Sequence, residues 1–213
     1  MRFSQIIEYK RPRVRGKISS DIEQSVVRTA QSKISLNTYF KNLGWNRVGV
    51  GYFSEVYANP KKNYVIKVNK QPDRSYERFI DFVKQHPNKH FPVVSDVKLI
   101  MLAGAKFYIY ALERLGEFTS PLKNVESKII ANLLQEIGLY PDDDLDVIVD
   151  EDLRFNDIPE LKAWINQQPG LVKAVRMLGE YRGKSGLDIW ENNLMQRKDG
   201  TIVITDPYGC YYN

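Results

Sequence analysis

The sequence predicts an α+β protein with two lobes, a β-rich lobe to about residue 115 and a helical lobe after it. Short β-branched runs alternate with turn residues in the first part, whereas apolar residues recur at helical spacing in the second. The 213 residues, 43% of them hydrophobic, suffice for two small lobes that share a cleft. We place a basic arm with a helical extension at 1–43, the β-rich lobe at 44–115 and a small helical lobe at 116–213.

Composition excludes several function classes. No run approaches the roughly 18 apolar residues of a membrane helix, and the N-terminus lacks the apolar segment of a signal peptide, so no membrane partner is predicted. A single cysteine rules out an internal disulfide framework and favours a cytoplasmic location. One cysteine and two histidines also argue against a zinc site or a histidine-dependent hydrolase. The net charge of +5 suits phosphates or an acidic partner but does not predict nucleic-acid binding.

The N-terminal segment is basic and then helical. Residues 2–17 carry six lysines and arginines against one acid, which predicts a solvated arm. Ser20-Asp21 can cap a helix to about residue 33, and a second short helix is predicted over Leu36–Leu43.

A glycine turn and a buried lysine distinguish the β-rich lobe. Arg47–Tyr57 alternates like a strand, breaks at Gly49 and Gly51, and resumes as a strand. Two strands joined by such a turn form a flap whose backbone N–H groups can approach phosphates. Lys67 lies inside the apolar strand Tyr64–Val68, where a cation is costly to bury without an anion. The glycines alone are typical of any hairpin, but their combination with this lysine predicts a nucleotide-binding half.

The remaining elements follow from periodicity and capping. Asp73 can cap a helix from Arg74 to about His86, whose spacing predicts that Tyr76, Phe79, Ile80 and Val83 face the core. Lys106–Leu115 is predicted as a strand. In the second half, we predict a helix that starts at Ser120-Pro121 and stops at Gly138.

Two further helices are predicted over Pro159–Gln167 and Leu171–Tyr181. The acidic tract from Pro141 to Asp152 is predicted to be a solvated loop. It does not match a calcium-binding loop, because Val147 and Leu153 stand where a glycine and an acid are required.

The stretch from Asp188 to Gly209 carries the chemistry. Asp188 is followed by Asn193, a turn, a β-branched run over Thr201–Thr205, and then Asp206. Phosphoryl transfer uses such a set: one carboxylate accepts the hydroxyl proton, while an amide oxygen and a second carboxylate hold Mg²⁺ on the phosphates of ATP.

Together these segments resemble the early serine/threonine protein kinases of T7-like bacteriophages. The resemblance spans about residues 38 to 207 and is carried by G-V-G-Y-F-S-E-V-Y, V-I-K-V, A-L-E-R-L, D-I-W-E-N-N-L-M and I-T-D-P. It implies a protein-kinase-like two-lobed fold with one main helix in the β-rich lobe.

The resemblance also implies a role for each site residue. Asp188 would be the catalytic base, Lys67 would position the phosphates, and Asn193 and Asp206 would bind Mg²⁺. The predicted contacts to ATP come from Gly49, Val50, Gly51, Tyr52, Phe53, Ser54, Lys67, Glu113 and Leu115, with Glu77 pairing with Lys67 and Asp81 as the competing acid. The implied activity is Ser/Thr phosphorylation of host proteins of transcription, RNA processing or translation, in the bacterial host's cytoplasm.

Three departures from that family bear on activity. Gly186-Leu187 stands where many kinases have His-Arg, and Trp190 stands where they usually have a lysine. The sequence ends seven residues after Asp206, so we expect no activation loop and a truncated helical lobe.

Three alternatives stay open at this stage. The chain can be a kinase-fold interaction module that inhibits a host enzyme with little or no catalysis. It can be a small-molecule phosphotransferase of the aminoglycoside-kinase type, although that family normally has a histidine two residues before the aspartate. Transfer of AMP instead of phosphate is the third. The sequence does not name the acceptor, establish autophosphorylation or give the oligomeric state.

Overall fold

A computed structural model describes residues 13–32, 34–102, 105–152, 154–155 and 158–209. The helices are α1 (Ser20–Gln31), α2 (Leu36–Asn42), α3 (Arg74–Gln85), α4 (Ser127–Leu139), α5 (Leu145–Glu151), α6 (Pro159–Asn166) and α7 (Pro169–Tyr181). The strands are β1 (Asn46–Val50), β2 (Ser54–Ala58), β3 (Tyr64–Asn69), β4 (Val94–Leu102), β5 (Ala105–Glu113), β6 (Gly116–Glu117), β7 (Leu194–Gln196) and β8 (Ile202–Ile204). Most of the predicted basic arm, Leu153 and the single cysteine, Cys210, lie outside the described residues.

The first half is built on a five-stranded antiparallel sheet with the strand order β1-β2-β3-β5-β4. Successive side chains of a strand point to opposite faces, so each strand serves two packed layers. Ile66 and Ile109 pack on the side of α1 and α2, whereas Tyr110 and Leu112 pack on the side of α3 and the helical half. The predicted α+β fold class, a β-rich lobe with one main helix followed by a helical lobe, is confirmed.

Helix α3 forms as predicted. Asp73 caps it by accepting a hydrogen bond from the Tyr76 amide at 3.0 Å. Phe79 and Val83, one turn apart, are completely buried. The helix therefore lies with its apolar face against the sheet and presents Tyr76 toward β3.

Helix α4 differs from the prediction at both ends. It begins at Ser127, because Ser120 instead closes a local turn in which its hydroxyl accepts the Leu122 amide hydrogen at 3.2 Å. It also continues past Gly138, which was predicted to stop it. Gly138 lies at the contact with α7, and an added Cβ there would lie 3.1 Å from Val175 Cγ1.

The acidic tract is not the solvated loop that was predicted. Helix α5 occupies its second half and is capped by Asp144, which accepts the Asp146 amide hydrogen at 3.0 Å. Ile148 and Val149 are buried against the main core. Two apolar residues among the acids are enough to order this segment.

The predicted hairpin near the end of the chain is confirmed. Strands β6, β7 and β8 form a small antiparallel sheet. Gly200 has a φ of +85°, a left-handed conformation that the tight turn requires and that glycine adopts without strain. The hairpin returns the chain so that Asp206 follows β8 toward the main sheet. Among the described helices, none is long and apolar enough to cross a membrane.

Candidate active site

A cleft of about 710 Å³ lies between the five-stranded sheet and the β7–β8 hairpin, a size typical of small-molecule sites. Nine of the residues predicted for the site line it: Gly49, Val50, Gly51, Ser54, Lys67, Glu113, Leu115, Asn193 and Asp206. The other four, Tyr52, Phe53, Glu77 and Asp188, do not belong to its lining.

The glycine turn closes on itself at the tip of the flap. The Gly51 amide donates to the Ser54 carbonyl at 2.8 Å, and the Lys70 ammonium donates to the Gly51 carbonyl at 3.0 Å. The amides of Tyr52 and Phe53 donate no hydrogen bond within the described residues. These two amides, instead of that of Gly51, are therefore available to a phosphate.

Lys67 is buried and has two partners. Its ammonium lies 2.8 Å from Asp206 Oδ2, and it stands 3.2 Å from the centroid of the Tyr76 ring. The lysine side chain is 8% exposed and the aspartate side chain 34%. A desolvated cation is stabilised by both a carboxylate and an aromatic face. The predicted need of Lys67 for an anion is met from the far end of the chain.

The predicted ion pair between Lys67 and Glu77 does not form in the described structure. Glu77 is partly buried and lies near Tyr108 on β5 instead. Burial first, and then the nearby Asp73 carboxylate, raise the pKa of Glu77 above its ordinary value. The reason is helical geometry: Tyr76, one residue earlier on α3, occupies the position facing Lys67. Asp81, the competing acid, does not reach the lysine either.

Asn193 and Asp206 offer oxygen ligands at one end of the cleft. The Asn193 amide nitrogen donates to the Asp188 carbonyl at 2.7 Å, which leaves its amide oxygen without a partner in the described structure. Thr205, next to Asp206, donates from its amide and its hydroxyl to the Asn193 carbonyl at 2.9 and 3.0 Å. One carboxylate and one amide oxygen fit Mg²⁺, which prefers hard oxygen ligands and takes the rest from phosphate and water.

Asp188 lies beside this pair, in a loop that hydrogen bonds hold in place. Its amide donates to the Pro207 carbonyl at 2.7 Å, and its carboxylate lies 3.4 Å from the Asn193 amide nitrogen. Burial first, and then the nearby charge of Asp206, raise the pKa of Asp188 above the ordinary aspartate value. The Trp190 side chain, near the same carboxylate, partly opposes that rise of the pKa.

Glu113 lies in the connection between the lobes, and its side chain and its backbone make different contacts. The Glu113 side chain is buried, and Arg197 Nη2 and Nε lie 2.5 and 3.0 Å from its two carboxylate oxygens. The Glu113 amide donates to the Val93 carbonyl at 2.9 Å, so it is not open to a base. The Leu115 amide donates no hydrogen bond in the described part of the chain. Leu115 is therefore the donor that remains for an adenine.

Sequence reasoning missed three residues that build this site. Tyr76 cradles Lys67, Arg197 fixes the connection between the lobes, and Gln135 on α4 hydrogen-bonds the Asp188 loop. Tyr76 was assigned to the helix core by its spacing, and nothing in the spacing of the other two indicates their partners.

A larger groove of about 840 Å³ lies in the helical half, between the start of the acidic tract and α7. It contains none of the residues predicted for the site. Its lining mixes acids such as Asp143 with Arg176, whose guanidinium donates to the Asp143 carbonyl at 2.6 Å. The chemistry predicted from the sequence therefore belongs to the smaller cleft.

Comparison with known proteins gives solved structures but no sequence family. No protein-family profile matches the chain, and no curated protein matches it in sequence. The microcompartment-associated aminopropanol kinase aligns with 85% of this chain and 68% of its own, at 14% identity and a TM-score of 0.39.

Two further solved structures align to a similar extent. The streptomycin–ATP–APH(2'')-IIa ternary complex covers 92% of this chain and 75% of its own, at 16% identity and a TM-score of 0.35. The ADP-bound aminoglycoside phosphotransferase APH(2'')-Ib covers 90% and 72%, at 13% identity and a TM-score of 0.35. Because all three TM-scores lie below 0.5, these similarities carry no argument about the function of this chain.

Proposed function

We propose that this protein is an ATP- and Mg²⁺-dependent phosphotransferase that transfers the γ-phosphoryl group of ATP to a hydroxyl acceptor. One observation carries the proposal: Lys67, Asp206 and Asn193 meet at one end of a nucleotide-sized cleft, with Asp188 directly beside them. Phosphoryl transfer depends on positioning and charge stabilisation more than on covalent chemistry, and these residue types supply both.

Different residues would bind the phosphates and the metal. Lys67 is held rigidly by Asp206 and Tyr76, so its ammonium is preorganised for the nonbridging oxygens of the phosphates. Asn193 and Asp206 would hold Mg²⁺, which when bound neutralises charge on the β- and γ-phosphates. The adenine would lie against the connection between the lobes, where the Leu115 amide can donate.

Asp188 supports the role of base. The acceptor hydroxyl loses its proton to the Asp188 carboxylate as its oxygen bonds to the γ-phosphorus and the bond to the β–γ bridging oxygen breaks, leaving ADP. Its raised pKa makes this carboxylate a stronger base than an exposed aspartate. Asn193 holds the Asp188 carbonyl and approaches its carboxylate, which couples the base to the metal end of the cleft.

For the acceptor, we propose Ser and Thr side chains of host proteins, inside the cytoplasm of a bacterial host. The support is the resemblance of the glycine turn, the lysine strand and the Asp188 stretch to the early kinases of T7-like phages. The transcription, RNA-processing and translation machinery are the partners that this resemblance implies. An exposed site also suits a protein acceptor: Trp190, beside the base, is 58% exposed.

The test is transfer of label from γ-labelled ATP with Mg²⁺. Bacterial lysate supplies the acceptors, separated after reaction into protein and small-molecule fractions. We expect label in proteins, lowered at least about 100-fold by Asp188→Asn, the lower range for loss of a general base. Asp206→Asn should abolish Mg²⁺-dependent transfer. Asp142→Asn, a matched change of an exposed carboxylate outside the cleft, should leave transfer unchanged.

Three outcomes would contradict the proposal in different ways. Label found only in small molecules would replace the protein acceptor with a small one. Full transfer by Asp188→Asn would remove the base from the mechanism. Binding of ATP without any transfer would favour a kinase-fold interaction module that inhibits a host protein.

A further inference from the structure

The loop that carries Asp188 is seated on helix α4. We propose that Gln135 is a positioning residue for Asp188, holding the base in place through the backbone on either side of it. The inference rests on the proposed function and adds to it the helix residue that sets the geometry of the base.

Gln135 makes two hydrogen bonds to the loop. Its amide nitrogen donates to the Leu187 carbonyl at 2.9 Å, and its amide oxygen accepts from the Ile189 amide at 2.8 Å. The two bonds lie on the two sides of Asp188, one before it and one after it in the chain. The Gln135 side chain therefore hydrogen-bonds the peptide groups on both sides of Asp188.

The other two backbone groups around Asp188 are held as well. Its amide donates to the Pro207 carbonyl at 2.7 Å, and its carbonyl accepts from Asn193 at 2.7 Å. Four consecutive backbone polar groups are thus paired with three residues, Gln135, Pro207 and Asn193. Pro207 and Asn193 belong to the same loop and hairpin, so Gln135 is the member that ties the base to a helix of the core.

Side-chain packing also holds the Asp188 loop against α4. Leu187 and Ile189 are 8% and 1% exposed, so the residues flanking the base are both buried. Gly138 lies three residues after Gln135, on the same face of α4. A Cβ at this glycine would lie 2.7 Å from Leu187 Cδ1. This face of α4 therefore fits the loop in two ways. The Gln135 amide hydrogen-bonds the loop backbone, and the missing side chain of Gly138 leaves room for Leu187.

The chemistry of glutamine is required at this position. The side chain must donate to a carbonyl and accept from an amide at once, and among uncharged residues of this length only glutamine does both. Glutamate would turn an oxygen toward the Leu187 carbonyl, and leucine would leave both partners unpaired. Displacement of a catalytic group by about 1 Å can cost about 100-fold in rate.

The experiment compares Gln135→Leu and Gln135→Glu with Asn132→Leu. Asn132 is also half-buried on α4, and its side chain makes no hydrogen bond within the described residues. We expect kcat to fall about 10- to 100-fold in both Gln135 variants. KM for ATP should stay within about threefold of wild type, because Gln135 is not part of the cleft lining. The Asn132 variant should keep its kcat.

Hydrogen exchange gives a second readout that does not need activity. We expect the amides of Asp188 and Ile189 to exchange at least about 10-fold faster in the Gln135 variants, with α3 unchanged. Unchanged exchange and unchanged kcat in a folded variant would overturn the proposal. Gln135→Asn, which keeps both polar groups on a shorter side chain, replaces either variant that does not fold. Should the wild type transfer no phosphate, the proposed function fails, while exchange still decides whether Gln135 holds the loop.

Discussion

At the scale of single residues, Lys67 is the centre of the site. Its ammonium has a carboxylate on one side, Asp206, and an aromatic face on the other, Tyr76. The residue is 6% exposed, so both contacts act where water screens them little. A second anion is not needed to keep this cation in place.

This arrangement predicts that Glu77 is dispensable. Glu77→Gln removes its charge but keeps its shape and hydrogen-bonding capacity. We expect phosphate transfer to stay within about threefold of wild type, because changing a partly exposed group outside the site rarely costs more. Steady-state kinetics with ATP as the varied substrate measure this.

Tyr76→Leu is the comparison, because Tyr76 is the neighbour of Glu77 on α3 that does contact Lys67. It removes the ring beneath Lys67 and should raise KM for ATP several-fold. A 100-fold loss in Glu77→Gln would show instead that α3 rotates during turnover and delivers Glu77 to Lys67.

The sequence predicts which residues belong to the site better than it predicts their contacts. Lys67, Asn193 and Asp206 were predicted as a set, because a cation buried in an apolar strand needs an anion and because phosphoryl transfer uses an amide oxygen and a carboxylate to hold the metal. Tyr76 was predicted only as a core residue, since a helical stripe of aromatics is usually packing. Gln135 could not be predicted, because its partners lie 52 and 54 residues away.

At the scale of elements, two glycines set the crossing of α4 and α7. An added Cβ on Gly179 would lie 2.0 Å from the Gly138 carbonyl oxygen, closer than any real contact. The obstacle is backbone, which cannot turn aside as a side chain can. The two helices are therefore in contact at their main chains, and this contact positions the face of α4 that seats the Asp188 loop.

Gly179→Ala should force these helices apart. The gain in helix propensity is about 1 kcal/mol, but overpacking in a close contact costs about 1–3 kcal/mol or more. We expect a net loss of stability of about 2 kcal/mol and a midpoint of thermal unfolding lowered by about 5 °C. Calorimetry or circular dichroism measures the shift.

Gly186→Ala is the control for this substitution, because an added Cβ there has no atom within 4 Å. Its midpoint should stay near that of wild type. An unchanged midpoint in Gly179→Ala would mean that α4 and α7 do not meet at this point. The crossing was not predictable: the sequence pattern suggested that Gly138 ends the helix, the usual role of a glycine late in a helical segment.

At the scale of the whole molecule, the segment between α3 and β4 joins the sheet to the β7–β8 hairpin, which lies between Asn193 and Asp206 in the chain. Arg197 Nη2, from the hairpin side, donates to the Phe91 carbonyl at 3.1 Å and to Glu113. The His90 ring nitrogen Nδ1 donates to the Ile202 carbonyl at 2.8 Å, and the Ile204 amide donates to the His90 carbonyl at 2.9 Å. The two sides of the cleft, the sheet and the hairpin, are thus held in a fixed relative position by buried polar contacts.

His90 makes this junction sensitive to acid. Burial, aided by the positive charges of Lys89 and Arg197, lowers the pKa of His90 to about 4, against an ordinary value of 6.5. Between these two values the unfolded chain binds the proton and the folded chain does not, so stability falls as pH falls from about 6.5 to about 4. The expected contribution of this residue is a loss of about 2 kcal/mol between pH 7.5 and pH 5.

The test compares the wild type with His90→Asn, whose side-chain amide can still donate to the Ile202 carbonyl but does not titrate. Urea unfolding at pH 7.5 and at pH 5 gives the free energy of unfolding of each. The raised pKa values of Asp73, Glu77 and Asp188 act in the opposite direction, because those folded carboxyls bind protons more readily. Their effect is common to both proteins and cancels in the difference, which should favour the variant by about 2 kcal/mol at pH 5 relative to pH 7.5. Equal pH dependence in the two proteins would show that the His90 ring reaches water, and that the junction between sheet and hairpin opens in solution.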